Sequence, residues 1–247
     1  MRKAIVGSAV FVAALGLVTL GVLQAGEQKG HGDKAEAQAK VGEPAPQFKL
    51  HTASGEKVKL ADLTKQEKVV VLEWFNPECP YVKKHYADMT TMNDLASKYA
   101  EKDVVWLRVN SSHHHDAEAN AKWAEKWSID RPILVDQDGK VGKMYGAKTT
   151  PHMYIIDAEG KLAYAGAIDS NRSHKPAKEG EEVVNYVDEA LKALLAGEEV
   201  STKQTKPYGC SVKYGKQARG ASGAEPIMVA SADGKKGDCS GAGACAK

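Results

Sequence analysis

The segment VVVLEWFNPECPYVKKHY constrains this chain more than any other. Val69 to Trp74 form an apolar run rich in β-branched residues that reads as a buried parallel strand. Asn76 and Pro77 break it, and Pro80 suits the first position of a helix, where the amide it lacks would have no partner. Cys79 is thereby placed as the cap of that helix. A thiol there faces unpaired backbone N–H groups and the positive end of the helix dipole, which favour the reactive thiolate, and Lys83 and Lys84 add positive charge nearby. The turn location favours an exposed sulfur. A buried cysteine acting as a small apolar residue is the other reading.

To either side the pattern alternates between strand and helix. Pro44 to Leu63 suggests a short hairpin turning at Ser54 and Gly55. A helix follows Cys79 and pauses before Met92 to Lys102, and Val104 to Asn110 with Ala117 to Trp127 make a second strand-helix unit. Ile133 to Val135, a turn at Asp136 to Gly139, a short helix to Tyr145, and a hairpin of Met153 to Asp157 with Leu162 to Ala165 extend the sheet. Glu181 to Leu195 is an amphipathic helix with Val184, Val187, Leu191 and Leu194 on one face, ended by Gly197. Thr202 to Tyr214 is strand-like. The order predicts an α/β fold with a mixed central sheet flanked by helices and with Trp74, Trp106, Trp123 and Trp127 in its core.

Arg2 and Lys3 precede an uninterrupted apolar or small stretch from Ala4 to Leu23, the pattern of an export segment. Residues 1–25 read as a signal peptide with an imperfect cleavage site at Ala25, or as an N-terminal anchor. A stretch of that length spans about 30 Å as a helix, enough for a membrane tether through residues 4–23. Residues 26–40 read as a solvated linker, 41–197 as the folded domain, 198–215 as a C-terminal extension and 216–247 as a flexible Gly- and Ala-rich tail. Without Arg2 and Lys3, the 34 basic residues fall to match the 32 acidic ones, and formal neutrality argues against nucleic acid as a partner. All four cysteines, Cys79, Cys210, Cys239 and Cys245, lie beyond the export segment, where an oxidising compartment would let any of them pair. Their connectivity stays open. CSGAGAC in the tail fits no common zinc spacing; a local Cys239–Cys245 disulfide is expected, with a mobile dithiol serving Cys79 as the alternative.

Three stretches, WFNPECPYVKKHY around Cys79, YGAKTTPHMYIIDAEGKLAYAGAID around Pro151 and TKPYGCSVKY around Cys210, together resemble one family. It is the peroxiredoxin-like branch of the thioredoxin superfamily, the redoxins related to alkyl hydroperoxide reductase and thiol-specific antioxidant, and the likeness runs from about Val41 to Tyr214. The resemblance implies a thioredoxin-like fold with a C-terminal extension. It also implies an exported, periplasmic or extracytoplasmic thiol oxidoreductase that reduces hydroperoxides or protein disulfides through a Cys79 thiolate. No cofactor is implied, and the electron donor would be a small thiol or a thioredoxin-like protein. In related folds a cis-proline lies opposite the active cysteine, which implies a cis bond before Pro151 and a Thr150 backbone that aligns an incoming sulfur or peroxide. Cys210 occupies the place of a family cysteine in the C-terminal extension and is the candidate resolving thiol, with a structural or unpaired thiol as its other reading. Val82 stands where many thioredoxin-like proteins carry a second cysteine. Asn76 and Leu72 stand where peroxiredoxins carry a threonine or serine and a proline, with Thr149 or Tyr81 as hydroxyls that could stand in.

SSHHHD, Ser111 to Asp116, follows a strand, and the carboxyl ends of parallel strands line the functional edge of open α/β sheets. His113, His114 and His115, with His85 and His152 near the two thiol-fold motifs, offer nitrogen to bind Zn or Cu together with the Cys79 thiolate. Metal binding or transfer is therefore the rival function, and a non-catalytic binding module is the third. A solvated loop is the plain reading of the three histidines. His85 and His152 would instead favour the Cys79 thiolate if either were a nearby imidazolium.

Overall fold

The computed structural model describes residues 38–215. The export segment, its Ala25 cleavage site, residues 26–37 of the linker and the tail with Cys239 and Cys245 lie outside the described residues. Lys49–Thr52 (β1) and Lys57–Lys59 (β2) form the opening hairpin, followed by Leu60–Thr64 (α1) and Val69–Trp74 (β3). Pro80–Lys83 (α2) runs into a π-helical turn, Lys84–Asp88, and the chain restarts at Thr91–Tyr99 (α3). Val104–Asn110 (β4), Ala117–Lys126 (α4), Ile133–Val135 (β5) and Lys140–Tyr145 (α5) come next. Thr149–Thr150 (β6), His152–Ile156 (β7), Leu162–Gly166 (β8), Tyr186–Leu195 (α6) and Cys210–Ser211 (β9) close the order.

Seven strands make one mixed sheet in the order β2-β1-β5-β4-β3-β7-β8, and β6 pairs with β9 apart from it. β3, β4 and β5 run parallel, while β7 lies antiparallel to β3 and β8 to β7. All six residues of β3 are buried because both faces of the sheet are covered, which is why the run reads as continuous rather than alternating. Val69 and Val71 face the cluster under α2, α3 and α6; Val70, Leu72 and Trp74 face the cluster that includes Leu60, Val141 and Tyr145.

Glu73 interrupts this apolar strand, and its neighbour in register on β4 is Arg108. Both side chains are fully buried, with Arg108 Nε 3.6 Å from Glu73 Oε2. Tyr86 Oη donates to the Glu73 carboxylate at 2.8 Å, Trp106 Nε1 donates at 2.9 Å, and Arg108 Nε donates to Tyr86 Oη at 2.5 Å. Burial pushes the Glu73 carboxyl above its ordinary range, and the guanidinium pulls it part of the way back.

The structure moves three of the sequence expectations. The last helix begins at Tyr186 rather than Glu181, because the Asn185 side chain accepts the Asp188 N–H at 2.9 Å and caps it. Val184 instead lies ahead of the helix, its carbonyl accepting from Ser170 N–H at 2.9 Å and its side chain exposed. Trp74 and Trp106 are in the core, but α4 buries only Asn120, which leaves Trp123 and Trp127 half-buried at the edge. Trp127 stacks on Tyr86 at 5.3 Å between ring centres, whereas Trp123 packs on Trp127 and Lys126. Of the strand-like stretch Thr202 to Tyr214, only β9 and a single bridge from Gln204 to Ala165 are sheet. Among the described residues no helix is long and apolar enough to cross a membrane.

Candidate active site

β3 ends beside β4, with Phe75 N–H donating to Val109 O at 2.9 Å, and the chain turns through Asn76 to reach Cys79. Cys79 has extended backbone (φ −79°, ψ 123°) and caps α2, whose first residue is Pro80. Its carbonyl accepts from Val82 and Lys83 N–H at 3.0 and 2.9 Å. The sulfur makes no capping bond. It points across to the Thr150 carbonyl and donates to it at 3.0 Å. Contrary to the expected exposure, Cys79 is only 1% accessible.

The cover comes from residues 198–215, which run as a strap over the C-terminal edge of the sheet. Within it, β9 pairs antiparallel with β6, Cys210 opposite Thr150 and Ser211 opposite Thr149. Cys210 N–H donates to Cys79 Sγ at 3.4 Å. The Thr150–Pro151 peptide is cis, so Cys79, Thr150, Pro151 and Cys210 meet at one point of the fold. Both cysteines are free thiols. Burial pushes the Cys210 thiol up to about 11, and its hydrogen bond to Cys79 and the charge on that sulfur add to the effect.

Three close contacts fix the strap. Gly166 leaves room for Thr205, and Gly139 and Gly142 leave room for the Tyr214 ring. Gly209, at φ +128°, lets the chain press against the Thr150 carbonyl, a conformation and an approach that a side chain would forbid. Tyr208, buried next to it, donates to Asp169 Oδ1 at 2.5 Å and meets His85 Nε2 at 3.1 Å. Lys84 Nζ donates to Tyr208 Oη at 3.4 Å and to the carbonyls of Asn171 and Ser173 at 2.8 and 3.0 Å. The π-helical turn supplies both Lys84 and His85 to this cluster.

These contacts overturn the electrostatic expectation for the two histidines and give the Lys84 ammonium other partners. The fully buried Lys84 ammonium is held by the Asn171 and Ser173 loop and by Tyr208, with Asp169 4.0 Å away. Burial drives His85 and His152 each down to about 3, so both rings are neutral near pH 7 and supply no imidazolium. His152 Nδ1 lies 3.1 Å from Tyr154 Oη.

The histidine loop sits on the same edge but assembles differently from the expected thiolate and imidazole set. His114 and His115 face Glu78, at 2.9 and 3.6 Å, while the His113 backbone pairs with the strap, its main-chain N–H donating to Lys213 O at 2.9 Å. The hydrogen bond from His114 holds the Glu78 carboxyl below its usual range. Among the described residues the one group close enough to share a cation is Glu78, His114 and His115, without Cys79, His85 or His152. At Asn76, where peroxiredoxins carry a hydroxyl, the side-chain oxygen accepts Glu78 N–H at 2.9 Å. Thr149 Oγ1 donates to Pro151 O at 3.1 Å, and the Tyr81 ring packs on Tyr208.

Residues 41–165 match the family described as the AhpC/TSA family. The thiol-disulfide oxidoreductase ResA of Bacillus thuringiensis subsp. konkukian is 28% identical over 127 residues, 51% of this chain and 69% of that protein. The thioredoxin-like protein YneN of Bacillus subtilis is 32% identical over 130 residues, 52% of this chain and 72% of that protein. An uncharacterized conserved protein from Geobacillus kaustophilus superimposes with a TM-score of 0.63 at 33% identity, over 72% of this chain and 94% of that one. A hypothetical protein from Sinorhizobium meliloti shares the fold at a TM-score of 0.62 and 24% identity, over 72% of this chain and 97% of that one.

Proposed function

The chain belongs to the AhpC/TSA family of thioredoxin-like thiol redox proteins, and on that premise we propose that Cys79 and Cys210 are the two working thiols of an exported thiol-disulfide oxidoreductase. The observation that carries this reading is the Cys210 N–H on the Cys79 sulfur, with β9 paired to β6 beside the cis-proline. The Cys79 thiolate attacks a sulfur of the substrate disulfide and expels the other as thiolate. Cys210 then attacks Cys79 in the mixed disulfide, releases the second substrate thiol and leaves a Cys79–Cys210 disulfide. Two electrons from a dithiol or a thioredoxin-like donor restore both thiols. Disulfide is favoured over hydroperoxide because the peroxiredoxin hydroxyl is replaced by Asn76, whose oxygen is already occupied. Export rests on Arg2, Lys3 and the apolar stretch at residues 4–23.

The test is peptide mapping of the reduced chain after one equivalent of a small oxidised disulfide, and again after one equivalent of hydrogen peroxide. The expected product is a Cys79–Cys210 crosslink that forms faster with the disulfide. Cys79→Ser should abolish turnover, and Cys210→Ser should halt at the mixed disulfide. Turnover by Cys79→Ser at the parental rate would end this reading.

The raised Cys210 thiol adds a pH signature. Attack requires the thiolate, and burial, the largest cause of the raised Cys210 thiol, does not depend on the Cys79 charge that the mixed disulfide removes, so the resolving step should quicken with pH and keep rising beyond the ordinary thiol range near 8.5. Because the folded state holds this proton more tightly than the unfolded chain, its contribution to stability is present below that range and is lost as pH approaches 11. A resolving rate that levels off at the ordinary value would show Cys210 attacking from solvent, with the strap already released.

A further inference from the structure

We propose that Glu78, His114 and His115 form a binding site for a divalent cation of the Zn2+ type, beside the thiol site and independent of its chemistry. Their ligand atoms lie within 4.8 Å of one another. Glu78 Oε2 is 2.9 Å from His114 Nε2, and Glu78 Oε1 is 3.6 Å from His115 Nε2. Bonds of about 2.0 to 2.1 Å at a tetrahedral angle set ligand atoms about 3.3 Å apart, so both separations bracket the one a cation needs. Two imidazole nitrogens and one carboxylate oxygen suit Zn2+ and leave a fourth position for water. The three residues line a recess together with Asp116, Glu118 and Trp123.

Consecutive histidines do not ordinarily converge. Here a turn closed by His115 N–H on Ser112 O, at 3.0 Å, brings two of the three rings side by side, 4.3 Å between centres. Behind them lies the side chain that sets the His115 tautomer. A ligating imidazole needs an acceptor for its other N–H, and the Asn110 carboxamide lies 3.1 Å from His115 Nδ1. With the amide nitrogen turned toward that ring, Asn110 also donates to Asn120 Oδ1 at 2.7 Å, and Asn120 Nδ2 is left buried with no partner. Turning both carboxamides by half a revolution keeps the bond between them and presents Asn110 Oδ1 to His115 Nδ1–H, while the buried position without a partner passes to Asn120 Oδ1. The Ser112 N–H bond to Asn110 is the one given up. The tautomer that binds a cation thus costs the Ser112 N–H bond, a cost that the cation's bonds to its three ligands must outweigh.

The test uses the tag-free full chain carrying Cys239→Ser and Cys245→Ser, titrated calorimetrically with ZnCl2, with Co2+ as an optical probe of geometry. One equivalent of Zn2+ should bind, and Co2+ should give the intense visible bands of a tetrahedral site. His114→Ala and Glu78→Gln, both at accessible positions, should each weaken binding by about tenfold or more without changing the circular dichroism. Cys79→Ser should bind as the parent does. Failure of the parent to bind Zn2+, equal affinity in His114→Ala and Glu78→Gln, or loss of binding in Cys79→Ser would each overturn the proposal.

Discussion

Gly209→Val is expected to drive two thiol reactions in opposite directions: formation of the Cys79–Cys210 crosslink slows, and alkylation of Cys79 quickens. At φ +128° a β-branched residue is strained, and its Cβ would fall on the Thr150 carbonyl oxygen, with the Pro151 nitrogen 3.3 Å away. Both are backbone atoms of a loop fixed by its neighbours, so the new side chain cannot be absorbed and β9 must leave β6. Cys210 then loses its preset position against Cys79. Loss of such positioning is worth about 10² or more in rate, because an oriented intramolecular attack becomes a search. At the same moment the cover that leaves Cys79 only 1% accessible is gone. Mass spectrometry after a brief pulse of iodoacetamide, and after one equivalent of oxidant, reads both. Parental rates in both experiments would show that the strap plays no part in gating the thiols. The milder Gly209→Ala should move each rate in the same direction by less.

Arg108→Met should cost about 3 to 5 kcal/mol of folding stability, measured as a lower urea midpoint, because it leaves Glu73 charged and uncompensated between two apolar layers. The methionine fills most of the volume, so the loss is electrostatic in origin. Adding Glu73→Gln should recover a large part of it, since the neutral amide no longer needs the guanidinium. A loss below about 1 kcal/mol in the single variant would mean that Glu73 is already protonated in the native state, the direction in which burial pushes it.

The contrast between what the sequence disclosed and what it hid follows the distance over which each signal acts. The strand Val69 to Trp74, the turn, Pro80 and the cap at Cys79 are local, and each stands where the residue pattern placed it. Trp123 and Val184 misled because helical spacing names a face without saying whether anything packs on it. The Asn185 cap starts the helix too late for Val184, and α4 lies at the edge. The burial of Cys79 depends on a segment 131 positions away, so the local turn argued for the opposite. The Glu73 and Arg108 pair was visible only as one charge inside each of two apolar strands, and the register that sets them side by side is a property of the sheet. The histidines are legible as donors, but that two of them meet Glu78 depends on the turn closed on Ser112, which no local pattern announces.

The separation of the two cysteines along the chain would tie the redox state of a Cys79–Cys210 pair to unfolding. A bond between residues 131 positions apart would close most of the domain into one loop, and chain entropy for a loop of that size takes about 5 kcal/mol from the unfolded ensemble. Linkage makes the relation mutual. Whatever free energy the crosslink adds to the folded state, the fold returns to the crosslink as resistance to reduction, on the order of 100 mV for a two-electron couple. The contacts that hold the strap, such as Thr205 against Gly166 and Tyr214 against Gly139, would therefore adjust the potential of a Cys79–Cys210 couple from a distance.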